Sequence, residues 1–372
     1  EILRCLVGSE MCIRDRSNSF MALFEVTPYD RRIYEEELKD FLPQKILDVH
    51  THVWLDKYLD HKPLAPGEVK RTVTWPSLVA ADDSIEDLQE TYRLMLPGKD
   101  VTALMFTSRG AWDKNNAYVA ECSRRTGFPA LYYSRPEQTP EELEAEIRKG
   151  GFLGLKSYLS LSPKYLPEAE IRIFDFFPKA QLKKMDELGA IVMLHIPRNG
   201  RLKDPVNLAQ IMEIKQEFPN IRLIIAHIGR AYTKEDVGNA FETLDQAPDL
   251  MYDFCANCCE YAITEVIRHA GVKHVMYGTD MPILRMRTRR IEENGTYINL
   301  VPPGLYGDPK QDKHLREVSA EEAEKITFFL YEELLAFKRA CKTLGLTKQD
   351  VEDIMYNNAH DLIEGARKSI YG

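Results

Sequence analysis

From residue 45 onward the chain alternates short apolar runs with helical patterns, and this alternation restricts the fold more than any other feature. Eight runs are strand-like: Ile46–His50, Val101–Thr107, Ala130–Ser134, Phe152–Tyr158, Ala190–His195, Arg222–His227, Leu250–Phe254 and His274–Thr279. Short continuous apolar runs separated by amphipathic stretches read as parallel strands covered by helices. The helical stretches have legible starts: at Thr139-Pro140 a capping hydroxyl precedes a proline suited to the first helical position. Eight strand–helix units within 372 residues imply an α/β fold, a closed (β/α)8 TIM barrel, with an open doubly wound sheet as the alternative.

No linker, internal repeat or low-complexity segment divides residues 21–372, which are expected to form a single domain. Asp30–Leu42 reads as a short helix ahead of the first strand. Helical tails are expected at Ala320–Leu344 and Lys348–Ala366, and they offer surfaces for a homodimer. Two connections are long, Trp54 to about Ser84 and Met281 to about Ser319. In a barrel, loops after strands one and eight overhang the C-terminal face, where they would serve as walls or lids. Residues 1–20 stand apart. Arg4–Arg16 resembles translated sequencing-adapter text and lacks the apolar stretch of a secretory signal, so these residues are read as a non-native or disordered leader, with Met21 as the start.

Composition narrows the partners. Hydrophobic residues at 44% and charged ones at 29% are those of a globular protein. A net charge of −9 gives no general attraction for nucleic acid or anionic lipid. No apolar run approaches the roughly 18–20 residues that cross a bilayer; Leu223–Ala226 is typical of the strongest. The seven cysteines show no disulfide-framework spacing, so a reducing cytoplasm is the expected compartment.

The chemistry lies at the strand ends. In Asp48-Val-His50-Thr-His52 a period of two sends both imidazoles to one face, a spacing that suits a metal ion. Three further runs end in His195, His227 and Asp280. Imidazole and carboxylate are the usual ligands of a borderline cation such as Zn²⁺, and a catalytic site leaves a position for water. Taken singly, His195 and His227 read as core histidines, and Asp280 could cap a following segment. Their common position at the same end of a barrel favours convergence on one ion. No Gly-x-Ser-x-Gly elbow and no glycine-rich phosphate loop competes with this.

These residues carry a resemblance. The sequence resembles the amidohydrolase superfamily, in the amidohydrolase-related branch of metal-dependent hydrolases and aminocarboxymuconate-semialdehyde-decarboxylase-like lyases, over about residues 45–365. The likeness rests on Asp48-Val-His50-Thr-His52, Leu194-His195-Ile-Pro, Ala226-His227-Ile-Gly229-Arg230, Gly278-Thr-Asp280-Met-Pro282 and Ile354-Met-Tyr-Asn357-Asn-Ala359, in the family's order. It implies one divalent ion, zinc or manganese, held by His50, His52, His195 and Asp280, with the question of a second ion open. Asp280 is further implied as proton acceptor, and His227 as a ligand or acid/base group.

The reaction expected is hydrolysis of a small, carboxylated or sugar-derived ester, lactone or amide, with non-oxidative decarboxylation as the alternative. Lys156, ending the fourth run, could be a carboxylated bridge between two metals, a contact for a substrate anion, or half of a buried ion pair. Arg198, Arg230, Arg285 and Arg287 follow strand ends and could fork onto a substrate carboxylate, whereas Arg289 and Arg290 read equally well as a solvated charge run. Trp54 is a candidate for stacking on substrate, with Arg109 and Trp112 as weaker pocket candidates. The Cys255, Cys258 and Cys259 cluster reads as a small-residue loop, and His61, His269, His274, His314 and His360 as surface or helix residues.

Overall fold

A computed structural model describes residues 22–59, 66, 76–108 and 112–372. The leader, Cys5, Cys12, His61, Arg109 and the Trp112 side chain lie outside the described residues. All eight strand-like runs form strands: β1 (Lys45–His52), β2 (Asp100–Phe106), β3 (Tyr132–Tyr133), β4 (Gly154–Lys156), β5 (Ile191–Leu194), β6 (Arg222–Ile225), β7 (Met251–Asp253) and β8 (Val275–Met276). Helices follow them in turn: α1 (Ile85–Met95), α2 (Trp112–Thr126), α3 (Pro140–Gly150), α4 (Lys179–Leu188), α5 (Pro205–Glu217), α6 (Ala240–Leu244), α7 (Glu260–Ala270) and α8 (Phe329–Leu344). Thr139 caps α3, with Pro140 in its first turn, as its sequence dictates.

Strands β3 to β8 pair in parallel in chain order, and β1 pairs with β2. The two sheets join at both edges. Met105 N donates to Pro129 O (2.9 Å) and Leu131 N to Met105 O (2.9 Å), linking β2 to β3. Val49 N donates to Tyr277 O (2.9 Å), Asp280 N to His50 O (2.7 Å) and His52 N to Met281 O (3.0 Å), linking β1 to the end of β8. The ring therefore closes, which removes exposed sheet edges.

Inside the ring, Leu47, Val49, Leu104, Phe106, Leu131, Leu153, Ile191, Met193, Ile224, Ala226, Met251 and Met276 form one apolar cluster. Ala359, Ile363 and Ala366, on one face of α9 (Asn358–Tyr371), join that cluster. The opposite strand faces pack on the helices in a second, larger core. Gly154 is required where β4 meets β5, because a Cβ there would stand 1.8 Å from the Ile191 carbonyl oxygen.

Two expectations about connections are corrected. The segment Met281–Ser319 is not only loop. It folds into β9 (Arg289–Glu293), β10 (Thr296–Val301) and β11 (Leu315–Glu317), with β10 central. Asn294 and Gly295, at φ 52° and 71°, make the turn between β9 and β10. Asn-Gly between alternating residues is the strongest short-range hairpin signal, because both positions tolerate positive φ. The head segment Asp30–Leu42 is not one helix but an α-helix at Pro28–Ile33, capped by Thr27, that widens into a π turn at Tyr34–Leu38. Among the described residues, no helix is long and apolar enough to cross a membrane.

Candidate metal centre

The inward period-two positions place chemistry at the C-terminal strand ends. After Ile191 and Met193 the next inward residue is His195; after Met251 it is Asp253; after Met276 come Gly278 and Asp280. Strand β1 reaches the same result by a different route. Asp48 pairs with Ala103 and Thr51 with Met105, so Val49 and His50 together oppose Leu104. This bulge shifts the alternation by one residue. Leu47 and Val49 fill the barrel below it, and His50 and His52 point inward above it.

His227 is aimed by a local backbone device. His227, Ile228, Gly229 and Arg230 all have left-handed φ values, 57°, 50°, 58° and 60°. Such a turn costs about 1–2 kcal/mol for each residue with a Cβ, and strain of this kind concentrates at functional sites. Asp253 Oδ1 accepts the His227 amide at 2.8 Å and helps to hold the turn.

Three of the imidazoles are oriented through one nitrogen each. His50 Nδ1 bonds Asp253 Oδ2 at 2.9 Å, His52 Nδ1 bonds the Met281 carbonyl at 2.9 Å, and His227 Nδ1 bonds the Cys255 carbonyl at 2.9 Å. A proton fixed on Nδ1 leaves the Nε2 lone pair for a cation, and metal-binding histidines are oriented in this way. His50 Nε2 lies 3.5 Å from Asp280 Oδ1, and His50, His52 and Asp280 offer donor atoms within 4.8 Å of one another. The His195 ring lies 5.2 Å from that of His227, centroid to centroid. Its buried Nδ1 has no hydrogen-bond partner, an orphan that a cation would satisfy. The donor set therefore fits a divalent ion.

Burial favours the neutral form of His50, His195 and His227. His227 is pushed down to about 3 by burial, and by His50 beside it. His50 and His195 are held well below the usual histidine range by burial, with the charge of Lys156 acting in the same direction on both. Burial raises Asp280 to about 8, against the pull of Lys156, and a cation beside it would reverse that. Lys156, 2% exposed, is lowered to about 8 by burial, opposed by Asp280 and Asp253. Its Nζ lies 5.4 Å from the Phe106 ring centroid, and among the described residues it forms no ion pair.

A second cluster, His50, His227, Asp253 and Cys255, also has donors within 4.8 Å. Its atoms already satisfy one another. Asp253 Oδ1 accepts from the Cys255 amide (3.2 Å) and thiol (2.9 Å) as well as from His227. We read this cluster as the support behind the imidazoles. Sequence reasoning missed Asp253, although a carboxylate ending a barrel strand in Met251-Tyr-Asp253 carried the signal. It also gave no role to Asp48, which accepts from Tyr92 Oη (2.6 Å), from Thr279 Oγ1 and from the amides of His50 and Thr279, binding β1 to the β8 end.

The arginines divide. Arg230 donates to the carbonyls of Pro197 (3.2 Å) and Arg198 (3.4 Å), and its charge reaches His195 and Tyr158. Arg198 turns instead to the carbonyls of Ile171 and Glu170. Arg285 is buried in an ion pair with Asp83 and bonds Thr91 Oγ1 at 2.8 Å. Arg287 pairs with Asp30 at 2.7 Å. Arg290, expected as readily on a solvated face, is half-buried, with its Nη1 on the Ala256 carbonyl at 2.8 Å. Trp54 is 4% exposed, with its indole N–H on the Ala81 carbonyl at 2.7 Å, so it fastens the loop after β1 rather than standing open to a ligand. His269, His274, His314 and His360 join no metal-like cluster among the described residues.

A closed β/α ring with imidazoles and a carboxylate at its C-terminal strand ends defines a class, the α/β-barrel proteins whose strand ends can hold a divalent ion. A family profile described as Amidohydrolase matches residues 47–364, and the chain belongs to that family. It is thus an enzyme, of a family whose members are metal-dependent hydrolases or decarboxylases acting on small molecules. No curated protein matches the sequence. Solved structures similar to it include an amidohydrolase from Burkholderia multivorans, at 11% identity and TM-score 0.57, covering 86% of this chain and 99% of that one. Another is described as a probable 2-pyrone-4,6-dicarboxylic acid hydrolase from Acinetobacter baumannii, at 14% identity and TM-score 0.51, with 86% and 99% covered. At such identities the likeness speaks for the fold.

Proposed function

We propose that the chain, acting as one domain over residues 21–372, hydrolyses a small carboxylated or sugar-derived ester, lactone or amide. His50, His52, His195 and Asp280 would hold one divalent ion, zinc or manganese. The observation that carries this reading is the grouping of the pre-oriented imidazoles of His50 and His52 with the Asp280 carboxyl, donor atoms within 4.8 Å of one another. Such an ion, when bound, polarises a carbonyl and acidifies water toward neutral pH. Asp280, against the donor set, accepts the proton of the attacking water and returns it to the leaving group. His227, its Nδ1 proton fixed on Cys255, keeps Nε2 free as a second proton acceptor. Lys156 and Arg230 attract the substrate carboxylate, and the apolar walls around Phe106 exclude bulk water.

A second reading, metal-dependent non-oxidative decarboxylation at the same site, is favoured by the cations Lys156 and Arg230 near it. With a substrate carboxylate oriented at the ion, Asp280 or His227 would deliver a proton to carbon. Metal analysis of the purified protein, with lactones and esters screened against aromatic acids and CO₂ release followed, tests both. A metal stoichiometry near zero, with activity unaffected by chelation, overturns them.

A further inference from the structure

The small sheet after β8 carries one cation to the loop after β7, whose Cys255 carbonyl orients His227. Arg290 on β9 lies opposite Asn299 on β10, and its Nε donates to Asn299 Oδ1 at 2.8 Å. Its Nη1 donates to the Ala256 carbonyl at 2.8 Å, one residue beyond the Cys255 carbonyl that orients His227. The guanidinium lies 4.4 Å from the ring centroid of Tyr297 and 4.6 Å from those of Tyr232 and Phe329. Its charge reaches Asp280 and pulls that carboxyl down against the effect of burial.

What distinguishes Arg290 is its lack of a counter-charge. Arg289 beside it faces Glu332 at 3.6 Å, and Arg201, which also lies against Tyr232 and Tyr297, pairs with Asp236 at 2.6 Å. Among the described residues, Arg290 forms no ion pair and its Nη2 has no hydrogen-bond partner. Arg230, whose charge together with that of Arg290 acts on Tyr232, also bonds only carbonyls and the Asn199 amide oxygen. A partly buried guanidinium held by neutral groups and aromatic faces, with Nη2 left to donate, is preorganised to bind a carboxylate. Neither arginine is paired with a carboxylate among the described residues, so together they offer one cation more than a monocarboxylate can engage.

We propose that Arg290 is a specificity residue that binds a second anionic group of the substrate, so that the enzyme prefers small dicarboxylates to monocarboxylates. This deepens the reading of the centre as a site for small carboxylated compounds and rests on it. The insertion sheet is then a specificity element, because β9 and β10 hold Arg290 and Tyr297 against the wall formed by Tyr232.

Titration calorimetry of the metal-loaded enzyme with benzoate and with benzene-1,3-dicarboxylate tests this. Native enzyme is expected to bind the dicarboxylate about tenfold or more tighter, one charge-assisted contact being worth that much. Arg290→Gln should lose that preference while its benzoate affinity stays within about twofold, and Arg290→Lys should recover part of it. A merely structural clamp on Ala256 would weaken both probes alike in Arg290→Gln, which overturns the proposal, as does native enzyme without a preference. Benzoate binding without preference removes only the role of Arg290; binding of neither probe removes the carboxylated-substrate reading with it.

Discussion

Replacing Asp253 by Asn changes one atom, and the hydrogen bonds say where its effect falls. Oδ1 accepts three donors, the amides of His227 and Cys255 and the Cys255 thiol, at 2.8, 3.2 and 2.9 Å. Oδ2 accepts only His50 Nδ1, at 2.9 Å. An asparagine will keep its carbonyl oxygen where three donors converge, which turns its NH₂ toward His50. Two donors then face each other, and His50 answers by moving its proton to Nε2, the nitrogen 3.5 Å from Asp280 Oδ1. A protonated Nε2 has no lone pair for a cation. Changes behind a metal-binding histidine lower affinity by about 10–100-fold, or about 1.4–2.8 kcal/mol. The upper end is expected here, because the tautomer is reversed rather than loosened. Competition with a chromophoric chelator measures the affinity, and the melting temperature of the metal-free protein should stay within a few degrees of native. Affinity within about twofold of native in Asp253→Asn would refute the argument that this carboxylate sets the tautomer.

Other perturbations separate the remaining roles. His52→Ala should lose most of its metal, whereas His227→Ala should keep it and lower turnover by about 10²–10⁴-fold; equal metal loss in the two would make His227 a ligand. Arg285→Leu should destabilise the fold by about 3–5 kcal/mol by stranding the buried Asp83, with benzoate affinity unchanged; weaker benzoate binding at full stability would return Arg285 to the pocket. Asp30, fully buried, accepts from Arg287 at 2.7 Å and Thr327 at 2.7 Å. Burial alone would raise its pKa, yet these bonds and the Thr27 amide outweigh it and hold the carboxyl below its usual range. Its contribution is therefore complete above the unfolded value near 4 and lost as pH falls through the lower folded value. Urea unfolding should show Asp30→Ala less stable by about 3–5 kcal/mol at pH 7, with the gap narrowing below pH 4; a gap independent of pH would show that the charge plays no part.

The order of the eight barrel strands and their helices, and the types of donor at the strand ends, are legible in the residues alone. Both are local properties: periodicity within a run sets the element, and residue type sets the chemistry a position can offer. The hairpin at Asn294-Gly295 was equally local and could have been read from its turn. Where the side chains point is set by packing between distant segments. The bulge at Val49 and His50 reverses the alternation of β1 because of how that strand pairs with β2. The left-handed turn at His227–Arg230 places two site residues that a regular strand end would have aimed elsewhere. Arg285 and Arg290 stand five residues apart on one basic segment, yet one is buried against Asp83 and the other is held on the Ala256 carbonyl. Asp253 acquires its role from His50, 203 residues away. Direction, pairing and tautomer depend on partners that only the closed barrel brings within hydrogen-bond distance, and no pattern within a single segment encodes them.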